Sequence, residues 1–230
     1  YMVHLGIIPD GNRRWCKKNN HDLDDLPIVW KDYIINTVKK LIKLDINNYK
    51  ELLNITEISL YIASIDNVNR TDKTKLILFE LFKEINNIIN NPEKFFDKSI
   101  IDAINRYSKD IGLNIIGDIN ILPKNMIESI EKYRKLLIGT KYIINLAVAY
   151  DYNKDIINET KQDNLNYNRE QSNIDLVFRS GGEYRLSGFF PTKIIYSELF
   201  FLKKLWLDVN IDDIYNVLLE YNKRERRFGR

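Results

Sequence analysis

Val3-His4-Leu5-Gly6-Ile7-Ile8-Pro9-Asp10-Gly11-Asn12-Arg13-Arg14-Trp15 is the stretch on which the fold turns. Six mostly apolar residues, Val3–Ile8, read as a buried strand. Pro9, Asp10 and Gly11 break that strand, and the residues beyond them lead into a helix. A buried strand running through a short polar turn into a helix is the opening unit of an α/β domain. In such domains ligands gather beyond the carboxyl ends of the strands, where this turn stands.

Outward from it the chain keeps alternating. Helical apolar spacing fills residues 28–44, through Val29, Tyr33, Val38, Leu41 and Ile42. A strand is expected over 57–63, and a helix over 71–89 with Leu76, Phe79, Leu81, Phe82 and Ile85 facing inward. Pro92 opens a further helical piece reaching residue 107. Strands follow at 113–116, 142–149 and 174–178, and near the end of 194–202. Helices occupy 124–137, a short span around Asp155, and 212–223; the polar residues 162–173 read as a loop. The expected fold class is α/β: a single domain over residues 1–230, with a mostly parallel central sheet flanked by helices. There is neither an internal repeat nor a linker.

Composition limits the function classes. Thirty-five basic against 32 acidic residues give a formal net charge of +3, too balanced to point to nucleic acid. The single cysteine, Cys16, excludes an internal disulfide and a cysteine-built zinc site, and it suits a reducing compartment. Two histidines cannot build a histidine-rich metal site. No apolar run reaches the roughly 20 residues of a spanning helix, and the chain opens directly into a strand with no signal peptide in view.

Three segments after strands carry candidate chemistry. In the first, Asp10 is a hard oxygen ligand of the kind Mg²⁺ takes. Gly11 lets backbone approach an anion, and Arg13 and Arg14 are fork-shaped donors for phosphate oxygens. The same residues also suit a plain strand-to-helix turn. The second, Ser64-Ile65-Asp66-Asn67-Val68-Asn69-Arg70, reads as a loop whose Ser, Asn and Arg can bind a diphosphate but are common turn residues too. In the third, Arg179 and Arg185 flank Gly181-Gly182, with Ser187 two residues on. That is a cradle for a second diphosphate, or a surface loop with a Glu183–Arg185 charge pattern.

Taken together, these segments resemble the cis-prenyltransferases, the family of undecaprenyl and dehydrodolichyl diphosphate synthases. His4 through Trp15 is similar to that family's opening signature, Tyr61 through Arg70 to its second motif, and Asp175 through Ser187 to its isopentenyl diphosphate motif. Tyr196-Ser197-Glu198-Leu199-Phe200-Phe201 and Leu205-Trp206-Leu207-Asp208 follow in the family's order. The resemblance implies Mg²⁺-dependent elongation of an allylic diphosphate, such as farnesyl diphosphate, by isopentenyl diphosphate, with an apolar tunnel for the product. It implies Asp10 on Mg²⁺, with Glu198 as the second carboxylate. Gly11, Asn12, Arg13, Arg14, Trp15 and Arg70 would serve the allylic diphosphate, Asp66 would bind substrate, and Ser64 and Asn67 would line the reacting centre, Asn67 at the step of proton removal. Arg179, Arg185 and Ser187 would hold isopentenyl diphosphate. Arg227 and Gly229 match a tail that reaches the partner's site in a homodimer. A cytoplasmic enzyme with transient contact at a membrane surface is the implied setting.

Departures keep two alternatives open. The stretch His21-Asp22-Leu23-Asp24-Asp25-Leu26-Pro27 stands where relatives carry an Arg and a His for the allylic diphosphate, so a non-catalytic partner subunit of a two-component enzyme is one alternative. An irregular-linkage prenyl synthase on the same fold is the other. Ile62 occupies a position where long-chain relatives carry Ala, while the stretch between Leu81 and Gly117 is enlarged; these bear oppositely on product length.

Overall fold

The computed structural model describes residues 2–70, 72–160 and 171–225. Its elements are β1 (Val3–Ile8), α1 (Asn12–Lys18), α2 (Leu26–Ile42), β2 (Ile55–Ser64), α3 (Ile65–Arg70), α4 (Asp72–Asn90), α5 (Lys98–Ser108), β3 (Ile111–Ile116), α6 (Lys124–Leu136), β4 (Tyr142–Tyr150), α7 (Tyr152–Thr160), β5 (Leu176–Arg179), β6 (Glu198–Phe201) and α8 (Ile211–Lys223). The strands form one six-stranded sheet in the order β3-β4-β2-β1-β5-β6, and every pairing is parallel. The expected α/β class therefore holds, and all the carboxyl ends lie on one side.

Both faces of the sheet are covered, which is why its strands read as nearly continuous apolar runs. Val3, Leu5 and Ile7 of β1 pack with Leu176, Phe178, Trp30, Trp206, Val217 and Leu218, joining the sheet to α2 and α8. On the other face Ile8, Val177, Ala147, Tyr150, Phe189 and Phe190 make a second cluster. Gly6 sits beneath it: a Cβ there would come within 2.7 Å of the Phe189 ring. Glycine in the middle of this strand is thus the condition for Phe189 to lie flat on the sheet.

A polar row crosses the same sheet within its amino half. The Asn114 amide donates to Asn145 Oδ1 at 2.8 Å, and Asn145 Nδ2 donates to Glu57 Oε1 at 2.7 Å and Ser59 Oγ at 3.1 Å. His4 Nε2 meets Ser59 Oγ at 2.8 Å, and its Nδ1 meets Ser172 Oγ at 2.9 Å. Gln171 Nε2 donates to Ser59 Oγ at 2.7 Å, and the Ser172 hydroxyl donates to Glu57 Oε2 at 2.5 Å. His4, Ser59, Asn114 and Asn145 are buried, so the mutual pairing removes the cost of leaving them dry and unbonded.

Several expectations change. The second motif is not a loop: Ser64 ends β2 and α3 begins at Ile65. Ser64 Oγ accepts from the Asn67 N–H at 3.1 Å, an N-cap arrangement that turns these turn-forming residues into a helix start. The piece from Pro92 is two elements, a 3-10 turn at Pro92–Lys94 and then α5, whose N-cap Asp97 accepts from the Ile100 N–H. On α4 the buried stripe runs through Leu78 and Ile88, whereas Leu76 is 61% exposed because it lies off that face. Leu41 on α2 is likewise exposed, and Trp30 and Ile35 are the buried anchors. Most of the loop expected at 162–173, together with Arg227 and Gly229, lies outside the described residues.

Candidate active site

The site grows from the pairing of β1 with β5, which sets Ile8 beside Arg179. Arg179, the last residue of β5, is only 3% exposed. A buried guanidinium needs a counter-charge. Its Nη2 donates to Asp10 Oδ2 at 2.7 Å, and its Nη1 donates to Ser187 Oγ at 3.0 Å and to the Arg185 carbonyl. Nε of the same guanidinium is buried without a hydrogen-bond partner. One side chain thus joins the first motif to the third.

Asp10 is held as firmly through its backbone. Its N–H donates to Ser180 Oγ at 3.0 Å, and the Ser180 hydroxyl donates back to the Asp10 carbonyl at 2.9 Å. The Trp206 N–H reaches the same carbonyl at 3.0 Å. The carboxylate stays 31% exposed, with Oδ1 accepting from the Gly11 N–H at 2.6 Å. Gly11 has φ 97, a left-handed conformation that glycine adopts without strain, and a Cβ there would come within 2.8 Å of Leu205. Sequence reasoning assigned no role to Ser180 or Trp206, which act on backbone atoms that only the β1–β5 register brings near.

Glu183 bridges the two arginine groups. It accepts from Arg185 Nη1 at 2.6 Å and lies 3.4 Å from Arg14 Nη1. Arg14 Nη2 is also 3.8 Å from Asp10 Oδ1. Arg13 is exposed on α1, and Asn12 donates to the Pro9 carbonyl at 3.0 Å while its Oδ1 is buried and unpartnered. Trp15 gives its indole N–H to Asp208 at 2.7 Å and stacks on His21 with centroids 5.4 Å apart. His21 pairs with Asp25, and Lys18 with Asp208.

The second motif closes the other side. The Ser64 hydroxyl donates to Asn67 Oδ1 at 2.6 Å, and the Tyr61 hydroxyl donates to the Ser187 carbonyl at 3.1 Å. Burial pushes the Tyr61 hydroxyl up to about 12, with the Asp66 and Asp151 charges adding and the Ser64 hydroxyl and the Arg179 charge opposing. Asp66 is exposed on α3, and Arg70 ends that helix.

Within one chain Glu198 stands apart from Asp10. It begins β6 opposite Leu176, whereas Phe201 pairs with Arg179. Three residues of strand put it roughly 10 Å back from the carboxyl end. Its carboxylate accepts from Arg224 Nη1 at 2.6 Å instead.

The donor set can be tested against Mg²⁺. Among the described residues no three His, Cys, Asp or Glu side chains converge on one point. Asp10 offers a partly open hard-oxygen ligand, within reach of arginines that suit phosphate. One carboxylate completed by substrate phosphates and water is a common arrangement for Mg²⁺, so these residues fit the ion.

Comparisons with known proteins give the family of the chain. The prenyltransferase family model described as undecaprenyl diphosphate synthase matches residues 8–229. The ditrans,polycis-undecaprenyl-diphosphate synthase ((2E,6E)-farnesyl-diphosphate specific) of Wigglesworthia glossinidia brevipalpis is 32% identical over 248 residues, covering 99% of this chain and 87% of that protein. The tritrans,polycis-undecaprenyl-diphosphate synthase (geranylgeranyl-diphosphate specific) of Pyrococcus furiosus is 31% identical over 248 residues, covering 99% and 86%. Two solved structures share the fold. Lavandulyl diphosphate synthase from Lavandula x intermedia, in complex with dimethylallyl diphosphate, has a TM-score of 0.72 at 22% identity over 99% of this chain and 98% of that one. A probable undecaprenyl diphosphate synthase from Campylobacter jejuni has 0.69 at 24% over 100% and 99%. With motifs, sheet order and matched length in agreement, the chain belongs to the undecaprenyl diphosphate synthase family and is a prenyltransferase.

Proposed function

We propose that this enzyme extends an allylic diphosphate with isopentenyl diphosphate to give a Z-polyprenyl diphosphate. The observation that carries the reading is the Asp10–Arg179 pair at the joined ends of β1 and β5, ringed by Arg14, Arg185 and Ser187. A carboxylate for a cation and guanidinium groups for anions meet there at one point. Two diphosphates repel, so a site for both needs that excess of arginine.

In this reading Gly11, Asn12, Arg13, Arg14 and Arg70 hold the allylic diphosphate with Trp15 beside them, and Arg179, Arg185 and Ser187 hold isopentenyl diphosphate. Asp10 holds Mg²⁺, which when bound neutralises charge on the departing diphosphate. The residues bring the acceptor double bond against the allylic carbon. The allylic carbon–oxygen bond breaks, a carbon–carbon bond forms, and one proton leaves the condensed product. Asn67, oriented by Ser64, directs that proton to a diphosphate oxygen. The product runs into an apolar tunnel beneath α4.

A homodimer suits the sheet edge at β6, where Leu199 and the neighbouring Tyr184, Ile195 and Tyr196 are exposed. Among the described residues no helix is long and apolar enough to cross a membrane, and we place product release at a membrane surface bordering the cytoplasm. The test is incorporation of labelled isopentenyl diphosphate onto farnesyl diphosphate with Mg²⁺. A ladder of products that Asp10→Ala abolishes supports the reading. No incorporation with dimethylallyl, geranyl, farnesyl or geranylgeranyl diphosphate overturns it.

A further inference from the structure

We propose that Tyr61 is a positioning residue for isopentenyl diphosphate, setting the Arg185–Ser187 turn through its hydroxyl; this rests on the elongation reading for the identity of the ligand. Ser187 has φ 53, the left-handed region that a residue with a Cβ occupies at a cost. Such a conformation persists only where its surroundings over-determine it. Here two bonds do so from opposite sides: Arg179 Nη1 on Ser187 Oγ, and the Tyr61 hydroxyl on the Ser187 carbonyl. Arg179 itself is tied to Asp10, so its position is shared with the metal side. Tyr61 is the tie from β2, the strand that carries Ser64 and leads to Asn67.

The ring fixes where that hydroxyl points. It packs against Tyr150 edge-on at 5.9 Å and against Phe189 at 5.5 Å, both fully or nearly buried. Phe189 follows the turn by two residues and lies over Gly6. The ring therefore stays anchored when the hydroxyl alone is removed. Tyr61→Phe deletes the bond to the turn together with that hydroxyl's contact with the Ser64 hydroxyl, and leaves the packing, the arginines, Asp10 and the Ser64–Asn67 bond in place.

Two readouts test this. Amide hydrogen exchange without substrate should show the segment around Arg185–Ser187 exchanging about 5-fold faster in Tyr61→Phe, the factor for losing one neutral hydrogen bond. In steady state the KM for isopentenyl diphosphate should rise about 5-fold or more, while the KM for the allylic diphosphate and kcat stay within about 2-fold, as for lost uniform binding. Unchanged exchange in the turn overturns the proposal whether or not the enzyme elongates. So does a Tyr61→Phe enzyme whose KM for isopentenyl diphosphate is that of the wild type. A wild type that makes no ladder sinks the elongation reading, while the exchange result still judges the turn.

Discussion

Strands β1 and β2 each serve two polar clusters, one in the amino half of the sheet and one beyond its carboxyl ends. In the first, His4, Ser59, Asn114 and Asn145 are buried and bond to one another, to Glu57 and to the segment at Gln171 and Ser172. In the second, Arg179 is buried, but Asp10, Arg14, Glu183 and Arg185 are all partly open to solvent. The first cluster spends its hydrogen-bonding capacity internally, which suits a role in fixing strand register. The second carries more guanidinium than carboxylate, and its Arg14 and Arg185 are open to solvent, so its spare charge is available to an anion. Burial with mutual satisfaction marks structure here; exposure with leftover charge marks chemistry.

Substitutions can break that contrast. Asp10→Ala should lower elongation on the order of 10³-fold, the scale of losing a main electrostatic contributor to the transition state. If labelled product persists, the carboxyl-end cluster is not the reacting centre. Asn145→Ala should do the converse. It strips partners from the Asn114 amide and from Glu57, costing about 3 kcal/mol at roughly 1–3 kcal/mol per stranded group. Urea denaturation should show the lower midpoint, while activity per folded molecule stays near wild type. A large loss of activity in the folded protein would erase the division between the clusters.

The sequence made one cluster legible and hid the other, for physical reasons. Pro9 through Arg14 is local: a strand end, a glycine and two arginines suffice to read a phosphate-binding turn. Arg179, Arg185 and Ser187 are as compact. The bond from Arg179 to Asp10, across 169 residues, needs the β1–β5 register, and so do Ser180 and Trp206 on the Asp10 backbone. His4, Ser59, Asn114 and Asn145 look unremarkable one at a time and acquire meaning only as neighbours across strands. The helix α3 was hidden because Asp66, Asn67 and Asn69 are turn formers until Ser64 caps them. Glu198 stands at the amino end of β6, a placement that motif order along the chain does not reveal.

A third substitution sharpens the boundary of the carboxyl-end region. Ile62 falls where β2 slips against β4, between the Tyr61–Ala147 and Ala63–Val148 pairs. It packs beside Phe82 against both the Leu113–Val148 cluster and the Ala63–Val68 cluster, beneath α4. Ile62→Ala should cost about 2 kcal/mol as a core truncation at a half-buried site and should lengthen the products if the growing chain passes under α4. Unchanged products on a chromatogram would show that Ile62 packs the core and does not meet the chain.

The smallest effect tests whether the amino-half cluster is inert to function across pH. Burial lowers the pKa of His4, while the Glu57 and Asp175 charges and the Ser172 and Asn173 backbone raise it, and burial wins. The unfolded chain therefore takes up a proton near pH 6.5, where folded His4 is still neutral. Between that point and the lower folded pKa the unfolded state binds more protons, so stability rises with pH and is lost on acidification. The carboxyl groups of Asp97 and Glu51, held low chiefly by the Ser99 and Tyr215 hydroxyls, act only in the more acidic carboxylate range. Denaturation midpoints from pH 7 to 5 should thus fall in the wild type and fall less in His4→Gln, which removes the titrating ring. Elongation by the folded enzyme should follow the same pH profile in both proteins, because Asp10 and Arg179 lie at the other end of the strands. Equal slopes would mean that burial does not keep His4 neutral, and a shifted activity profile would mean that the two clusters are coupled through β1.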